Sequence, residues 1–327
     1  MRPVDRTSAG ERGGALLTVL LLVALIAVIA AGALEKLRLA TRLSGNAGRI
    51  EQARAYAQAA EALAVSRVST LLGQSRDRVT LLGGWSDAPF ALPLPGGVAT
   101  ARVADGGNCF NLNGLVTEVA PAIYATDPIQ RLQLARLMRL LQLPPQVADQ
   151  VSAGAADWID TDADQQPAGA EDGAYLRQDP GYRTAGTLMT DVSELRAVAG
   201  VTADLFATMK PWLCTLPAAK PATINVNTLA PEQALLVAML APDTLTVEAA
   251  RGALLRRPLT GWSSASGFWA TGGVSGVGAA EGQTGVTSTW FALRIDVAAN
   301  GAELRETALI DARRLPARLV ARQWGEE

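Results

Sequence analysis

From Gly13 to Leu34 the chain carries no charge, and Thr18 is the one polar side chain among Leu, Val, Ile, Ala and Gly. As a helix these 22 residues span about 33 Å, enough to cross a bilayer core of about 30 Å. The run exceeds the apolar region of about 7–15 residues in an ordinary secretory signal, so a retained membrane helix is expected. Small and apolar residues then recur three and four apart at Ala53, Tyr56, Ala57, Ala60, Leu63, Ala64, Val68 and Leu71. That is the spacing of one helix face. The pattern predicts a single helix over about 15–73, its first half membranous and its second half packed on a globular body. Gly45 and Gly48 mark where a bend is expected.

Beyond this helix the period changes. Glycines and prolines between 83 and 97 signal turns, and Val98–Val103 alternates as a short strand. Helical patterns follow over 128–158, broken at Pro144-Pro145, then over 192–198 behind Thr190 or Asp191, 202–212, 231–240 and 247–255. Residues 271–288 are rich in Gly, Ser and Ala and are expected to form a mobile loop. Thr289–Ala298 and Glu303–Ala312 alternate around Ala299-Asn300-Gly301, a strong hairpin signal. The strand near 98–103 needs that hairpin to complete a sheet. The helical block therefore reads as an insertion within an α+β domain.

Composition narrows the chemistry. The chain has 327 residues, two cysteines, a net charge of −2 and no histidine. Without histidine there is no Cys/His zinc site and no Ser-His-Asp or Cys-His catalysis. Any metal site must be oxygen-rich, which points to a hard cation such as calcium. No P-loop lysine motif is present, and the glycines at 272–278 neither follow a strand nor open a helix, so no nucleotide site and no enzyme activity are expected. Between Asp157 and Arg196 stand nine carboxylates and three arginines. Asp160, Asp162, Asp164 and Glu171 fall at positions 1, 3, 5 and 12 of an EF-hand-like loop, where short carboxylates converge and a long one closes the shell. Gln165 occupies the tight-turn glycine position and Pro167 lies inside the loop, so this is not an authentic EF-hand. A solvated acidic loop is the alternative. Asp172 and Asp191 are the next ligand candidates, while Glu194 reads as a helix N-terminal charge.

The N-terminus carries a resemblance. A leader with Arg2, Asp5, Arg6, Glu11 and Arg12 ends in glycine directly before the apolar run. It resembles the class III signal of type IV pilin-like proteins. The resemblance implies cleavage by a prepilin peptidase at Gly13–Gly14, or at Gly14–Ala15, with methylation of the new terminus and retention of the helix. Pilins carry glutamate at mature position five, where it neutralises a neighbour's N-terminal amine. Here Thr18 stands at that position, which fits a subunit with no neighbour above it.

Cys109-Phe110-Asn111-Leu112-Asn113, Asp157-Trp158-Ile159-Asp160, Glu171-Asp172-Gly173-Ala174-Tyr175-Leu176, Asp191-Val192-Ser193-Glu194-Leu195-Arg196, Cys214 and Ile224-Asn225-Val226-Asn227-Thr228 follow in that order. Together with the leader they resemble the minor pseudopilin K family of type II secretion systems. The resemblance implies an α+β fold: a pilin-like domain, made of a long N-terminal helix and a small antiparallel sheet, interrupted by a large all-α inserted domain. The implied boundaries are leader 1–13, membrane part 14–34, pilin-like first part 35–108, inserted domain 109–215, a helix-hairpin-helix-like segment 216–275, and a C-terminal hairpin in 276–327. It also implies structural calcium in the insertion and a place at the pseudopilus tip. Implied partners are the I- and J-type minor pseudopilins, the major pseudopilin, prepilin peptidase and the inner-membrane platform, with secretin or exported substrates as further contacts.

Cys109 and Cys214 flank the helical block. They are either two free thiols or a disulfide, and a disulfide is favoured outside the cytoplasm. Lys and Arg on the two sides of the apolar run do not decide orientation; the leader and the cysteines point to a single-pass inner-membrane protein with a cytoplasmic leader and a periplasmic body. If the upper part of the helix, 53–71, buries its apolar face between subunits, helices of the other minor subunits are the natural contacts. The segment from Ile224 also resembles the opening of a helix-hairpin-helix, so the alternative function is a membrane-anchored DNA-binding or DNA-uptake protein. The link Ala241-Pro242-Asp243-Thr244 has no glycine and carries an acid, which argues against phosphate binding there, and no nucleic-acid partner is expected.

Overall fold

The computed structural model describes residues 9–75, 77–242, 244–273 and 279–325. The first eight residues of the expected leader, and the glycine-rich stretch 274–278, lie outside them. Helix α1 (Ala9–Gln74) runs unbroken through Gly45 and Gly48, so no bend marks them; glycine weakens a helix by about 1 kcal/mol without severing its hydrogen-bond ladder. Every residue from Gly14 to Gln52 is exposed. The apolar part is long enough to cross a membrane.

Strands β1 (Phe90–Leu94) and β2 (Gly97–Asp105) form a first hairpin. The insertion follows. It comprises β3 (Phe110–Asn111), the hairpin β4 (Val116–Ala120) and β5 (Ile123–Thr126), and helices α2 (Pro128–Leu140), α3 (Pro145–Ile159), α4 (Asp172–Tyr175) and α5 (Ala203–Met209). Then come β6 (Leu213–Cys214), β7 (Ile224–Asn225), α6 (Leu235–Ala238), α7 (Val247–Leu255), α8 (Ala265–Thr271), α9 (Ala279–Gly282) and β8 (Thr284–Gly285). The chain closes with β9 (Trp290–Ala299), β10 (Ala302–Asp311) and β11 (Arg318–Trp324).

The main sheet is antiparallel with order β1-β2-β9-β10-β11. Asn300 and Gly301 both take positive φ (52° and 76°) in the two-residue turn between β9 and β10, the conformation that Asn-Gly favours in hairpins. The sheet's inner face, with Ala99, Ala101, Leu293, Ile295, Val297 and Ile310, packs on Ala53, Ala57, Ala60, Ala64 and Val68 of α1. Small side chains let the helix lie close to the strands. The second half of the helix thus packs on the globular body as expected, and its small-residue face is covered by the chain's own sheet rather than left for partner helices, because α1 supplies the apolar layer that a one-sided sheet requires.

Other differences are local. The loop expected over 271–288 contains α9 and β8, and α8 precedes it. The segment at Pro231–Leu240 is a 3-10 turn (Pro231–Gln233) followed by the short α6, and Val192–Ala197 is 3-10 rather than α. The two helical segments expected at 109–215 and 216–275 share one core, in which Leu134, Leu137, Met138 and Ile159 join Leu236 and Phe268.

Candidate functional site

The seam between insertion and sheet is built from buried asparagines. Asn111 Nδ2 donates to the carbonyls of Ala218 (3.2 Å) and Lys220 (2.9 Å), while its Oδ1 accepts from Asn113 N and Leu216 N. Asn113, fully buried, donates to Met189 O and Leu216 O and accepts from Met189 N at 2.7 Å. Asn225 ties β7 to Val79 O (3.0 Å) and Ser288 Oγ (2.8 Å). Asn227 brackets Trp262 through both its N–H and its C=O. An amide is suited to this work because it both donates and accepts without charge. Beside them, Thr228 donates to half-buried Asp105 at 2.5 Å, and Ser288 donates to the same carboxylate. Burial pushes the Asp105 carboxyl up, against these hydrogen bonds.

A disulfide joins Cys109 and Cys214, with Cα atoms 5.8 Å apart and a sequence separation of 105. Parallel pairing of β3 with β6 places Asn111 opposite Cys214. The bond thus pinches the entry and exit of the first helical block.

The acidic cluster gathers around the C-terminus of α3. Asp160 is buried, and its Oδ2 accepts from Thr126 Oγ1 at 2.7 Å. Asp157, one turn earlier and fully buried, accepts from Gln166 N at 3.2 Å. Burial raises both carboxyls to about 6; the charges of Asp160 and Asp162 add to the rise at Asp157, and that of Asp162 to the rise at Asp160. Glu171 rises to about 7, from burial first and then from Asp157 and Asp160. Asp162 is exposed and accepts from Asp164 N at 2.9 Å, and Asp164 is exposed beside it. The two further candidates stand apart, each already engaged. Asp172 accepts from Thr184 N, Thr184 Oγ1 and Arg183 Nη1, and these hold its carboxyl below the usual range. Asp191 caps the 3-10 turn through Ser193 N and receives Gln323 Nε2 from β11. Burial opposes ionisation there, yet these hydrogen bonds and Lys210 win and its pKa is lowered.

Asp157 did not figure among the ligands expected from the loop spacing. Its signal was the three-residue offset from Asp160, which puts both on one face of the end of α3. Gly169 makes room for it: a Cβ there would stand 2.0 Å from Asp157 Oδ2. Among the described residues no three His, Cys, Asp or Glu side chains stand ready as a metal shell. Two buried oxygens, Asp160 Oδ1 and Glu171 Oε1, nevertheless lack any hydrogen-bond partner. Thr18, in the exposed stem, donates its hydroxyl to Gly14 O and Ala15 O of its own helix.

A second charged group lies under the stem. Glu61 of α1 is held by Arg322 of β11 through both carboxylate oxygens, and fully buried Glu306 of β10 has its Oε1 3.6 Å from Arg322 Nε. One arginine serves two carboxylates. Burial, then Glu61, raises the Glu306 pKa well above the ordinary range.

A long helix with an exposed apolar first half and a second half laid on an antiparallel sheet, with a disulfide-pinched helical domain between the sheet's second strand and its last three, defines a pilin-like assembly subunit. The comparisons take the assignment further. Residues 108–218 and 224–287 match the two family models described as type II secretion system protein K. The chain is 33% identical to the type II secretion system protein K of Klebsiella pneumoniae, covering 96% of this chain and 97% of that one. It is 37% identical to the Aeromonas hydrophila protein over 78% of each. A chain in the crystal structure of the GspK-GspI-GspJ complex from the enterotoxigenic Escherichia coli type 2 secretion system superposes with a TM-score of 0.74 at 31% identity, covering 85% of this chain and 98% of that one. The chain belongs to the type II secretion system protein K family.

Proposed function

We propose that this minor pseudopilin caps the tip of the pseudopilus, where it starts assembly together with I- and J-type minor pseudopilins and supports export of folded proteins. The observation that carries this reading is the insertion itself. Between β2 and β9 it adds a body too broad to be threaded through a fibre of slender stacked subunits, so it belongs at one end. Thr18 agrees, since its hydroxyl is spent on its own helix and offers no charge to a neighbour's amine. The solved complex of a relative with GspI and GspJ supports those partners. The disulfide favours a periplasmic body, with the stem in the inner membrane before extraction. The test is co-expression of the full chain with the remaining pseudopilins and prepilin peptidase, with a gold label on the inserted domain. Label at one fibre end, and loss of fibres without this chain, is the expected result. Label along the shaft overturns the tip position.

We further propose that the insertion binds a calcium ion, its acids closing around the metal only when it is present. Asp157, Asp160 and Glu171, with Asp162 at the mouth, would hold it; two of their buried oxygens have no donor, and hard oxygen ligands suit that cation. Calcium would supply the positive charge that this cluster lacks, a structural role. Isothermal titration of the full chain in detergent checks it. At about 100 times its Kd the ion should stabilise the fold by about 2.7 kcal/mol. No heat of binding and no shift in melting would refute it.

A further inference from the structure

One cleft lies where the loop leaving α1 meets the helical module that follows β7. It encloses about 440 Å³ and is lined from one side by Thr80–Gly83, and from the other by Pro231, Leu254, Leu255 and Arg257 to Leu259. That volume lies within the usual range of ligand sites, about 300–1,000 Å³. No acidic residue lines it.

Arg257 is half-buried in this cleft. Its Nη1 donates to Val226 O at 3.1 Å and to Leu229 O at 2.7 Å. Among the described residues it makes no ion pair, and burial alone pulls its pKa down with no carboxylate to offset it. Pinned by one nitrogen, the guanidinium keeps Nε–H and Nη2–H, two donors in a fixed fork that matches a carboxylate. The rim is apolar and exposed: Leu82 is 57% exposed, Leu255 69% and Leu259 92%. A nucleic-acid backbone would instead call for several cations and a polar surround.

We propose that this cleft docks a segment of a partner protein in which a carboxylate is flanked by large apolar side chains, the carboxylate on Arg257 and the apolar groups on the leucine rim. The site combines a partly desolvated arginine with an apolar rim, the pairing found at interface anchors. The inference stands on the cleft alone and does not depend on the position of the chain in a fibre.

The test pans a phage-displayed library of random peptides against the full chain in detergent. The consensus peptide is then synthesised and titrated by fluorescence polarisation. The expected consensus carries Asp or Glu next to Leu, Ile or Phe. Its affinity should fall at least tenfold in Arg257→Gln, in Leu259→Ser, and when the peptide's own acid becomes an amide. Arg257→Lys should recover only part of the loss, since it keeps the charge without the fork. Leu259 is almost fully exposed, so its variant reads docking rather than folding. No enrichment, a consensus without an acid, or a peptide indifferent to both variants overturns the proposal. So does displacement of the peptide by a short DNA duplex through the same arginine, which would make the site one for phosphate.

Discussion

At the scale of the residue, uncharged amides do the work that charges would do badly in a buried seam. Asn113 satisfies three backbone groups with one side chain. Asn113→Ala should strand them and cost about 3–5 kcal/mol, as each buried orphan costs about 1–3 kcal/mol; denaturant unfolding followed by tryptophan fluorescence gives the figure. Glu306 makes the opposite case, a buried acid with no donor on either oxygen. Its folded-state pKa lies above its ordinary value of 4.5, so the fold binds a proton that the unfolded chain releases. Its contribution is favourable in acid and is lost as pH rises through and beyond the carboxylate range. Glu306→Gln should therefore stabilise the protein most at pH 8 and flatten the fall in melting temperature between pH 5 and 8. An equal loss of stability at every pH would show that the side chain matters for shape and not for its proton. The asparagines stand out in the sequence as motif residues, but their partners, from 35 to 146 positions away, cannot be read from spacing.

At the scale of the element, periodicity was reliable wherever one face is buried and weak where neither is. The small-residue stripe of α1 announces a face packed on the globular body, but not which surface of that body covers it. The structure answers that, and Ala57→Asp should cost at least about 3 kcal/mol by placing a charge between helix and sheet; thermal melting of the variant checks it. Strand β11 is not legible in the sequence because its burial pattern hardly alternates. Strand β1 reads as a turn in the sequence because of its prolines; Pro93 is tolerated on an edge strand, where its missing N–H has no partner to lose. The loop after α3 showed its acids in sequence, but not that the end of the helix contributes Asp157. Gly169→Ala, which crowds that carboxylate, should weaken the proposed calcium binding about tenfold in a titration, while Asp172→Asn should leave it nearly unchanged.

At the scale of the whole molecule, two bodies with separate cores are joined by one seam. The disulfide sits at its base. In the chain-entropy account, closing a loop of 105 residues constrains the unfolded state by about 4–5 kcal/mol. The double variant Cys109→Ser/Cys214→Ser should lose about 2–5 kcal/mol in calorimetry, with the insertion melting first. The α+β class and the insertion were legible from the order of helix, strand, helical block and hairpin. The merging of two helical segments into one core was not, because it depends on which apolar faces meet.

The pairing of β2 with β9 also has a schedule. Asp105 ends one strand and Trp290 begins the other, so about 185 residues separate edges that must touch. At synthesis rates of about 5–20 residues per second, the stem and the first hairpin wait roughly 10–40 s for the strand that completes their sheet. In that interval the insertion can emerge, fold on its own core and close its disulfide. The first part of the chain to be made is then the last to acquire its full set of neighbours, and its alanine-lined face is open to other helices until that moment.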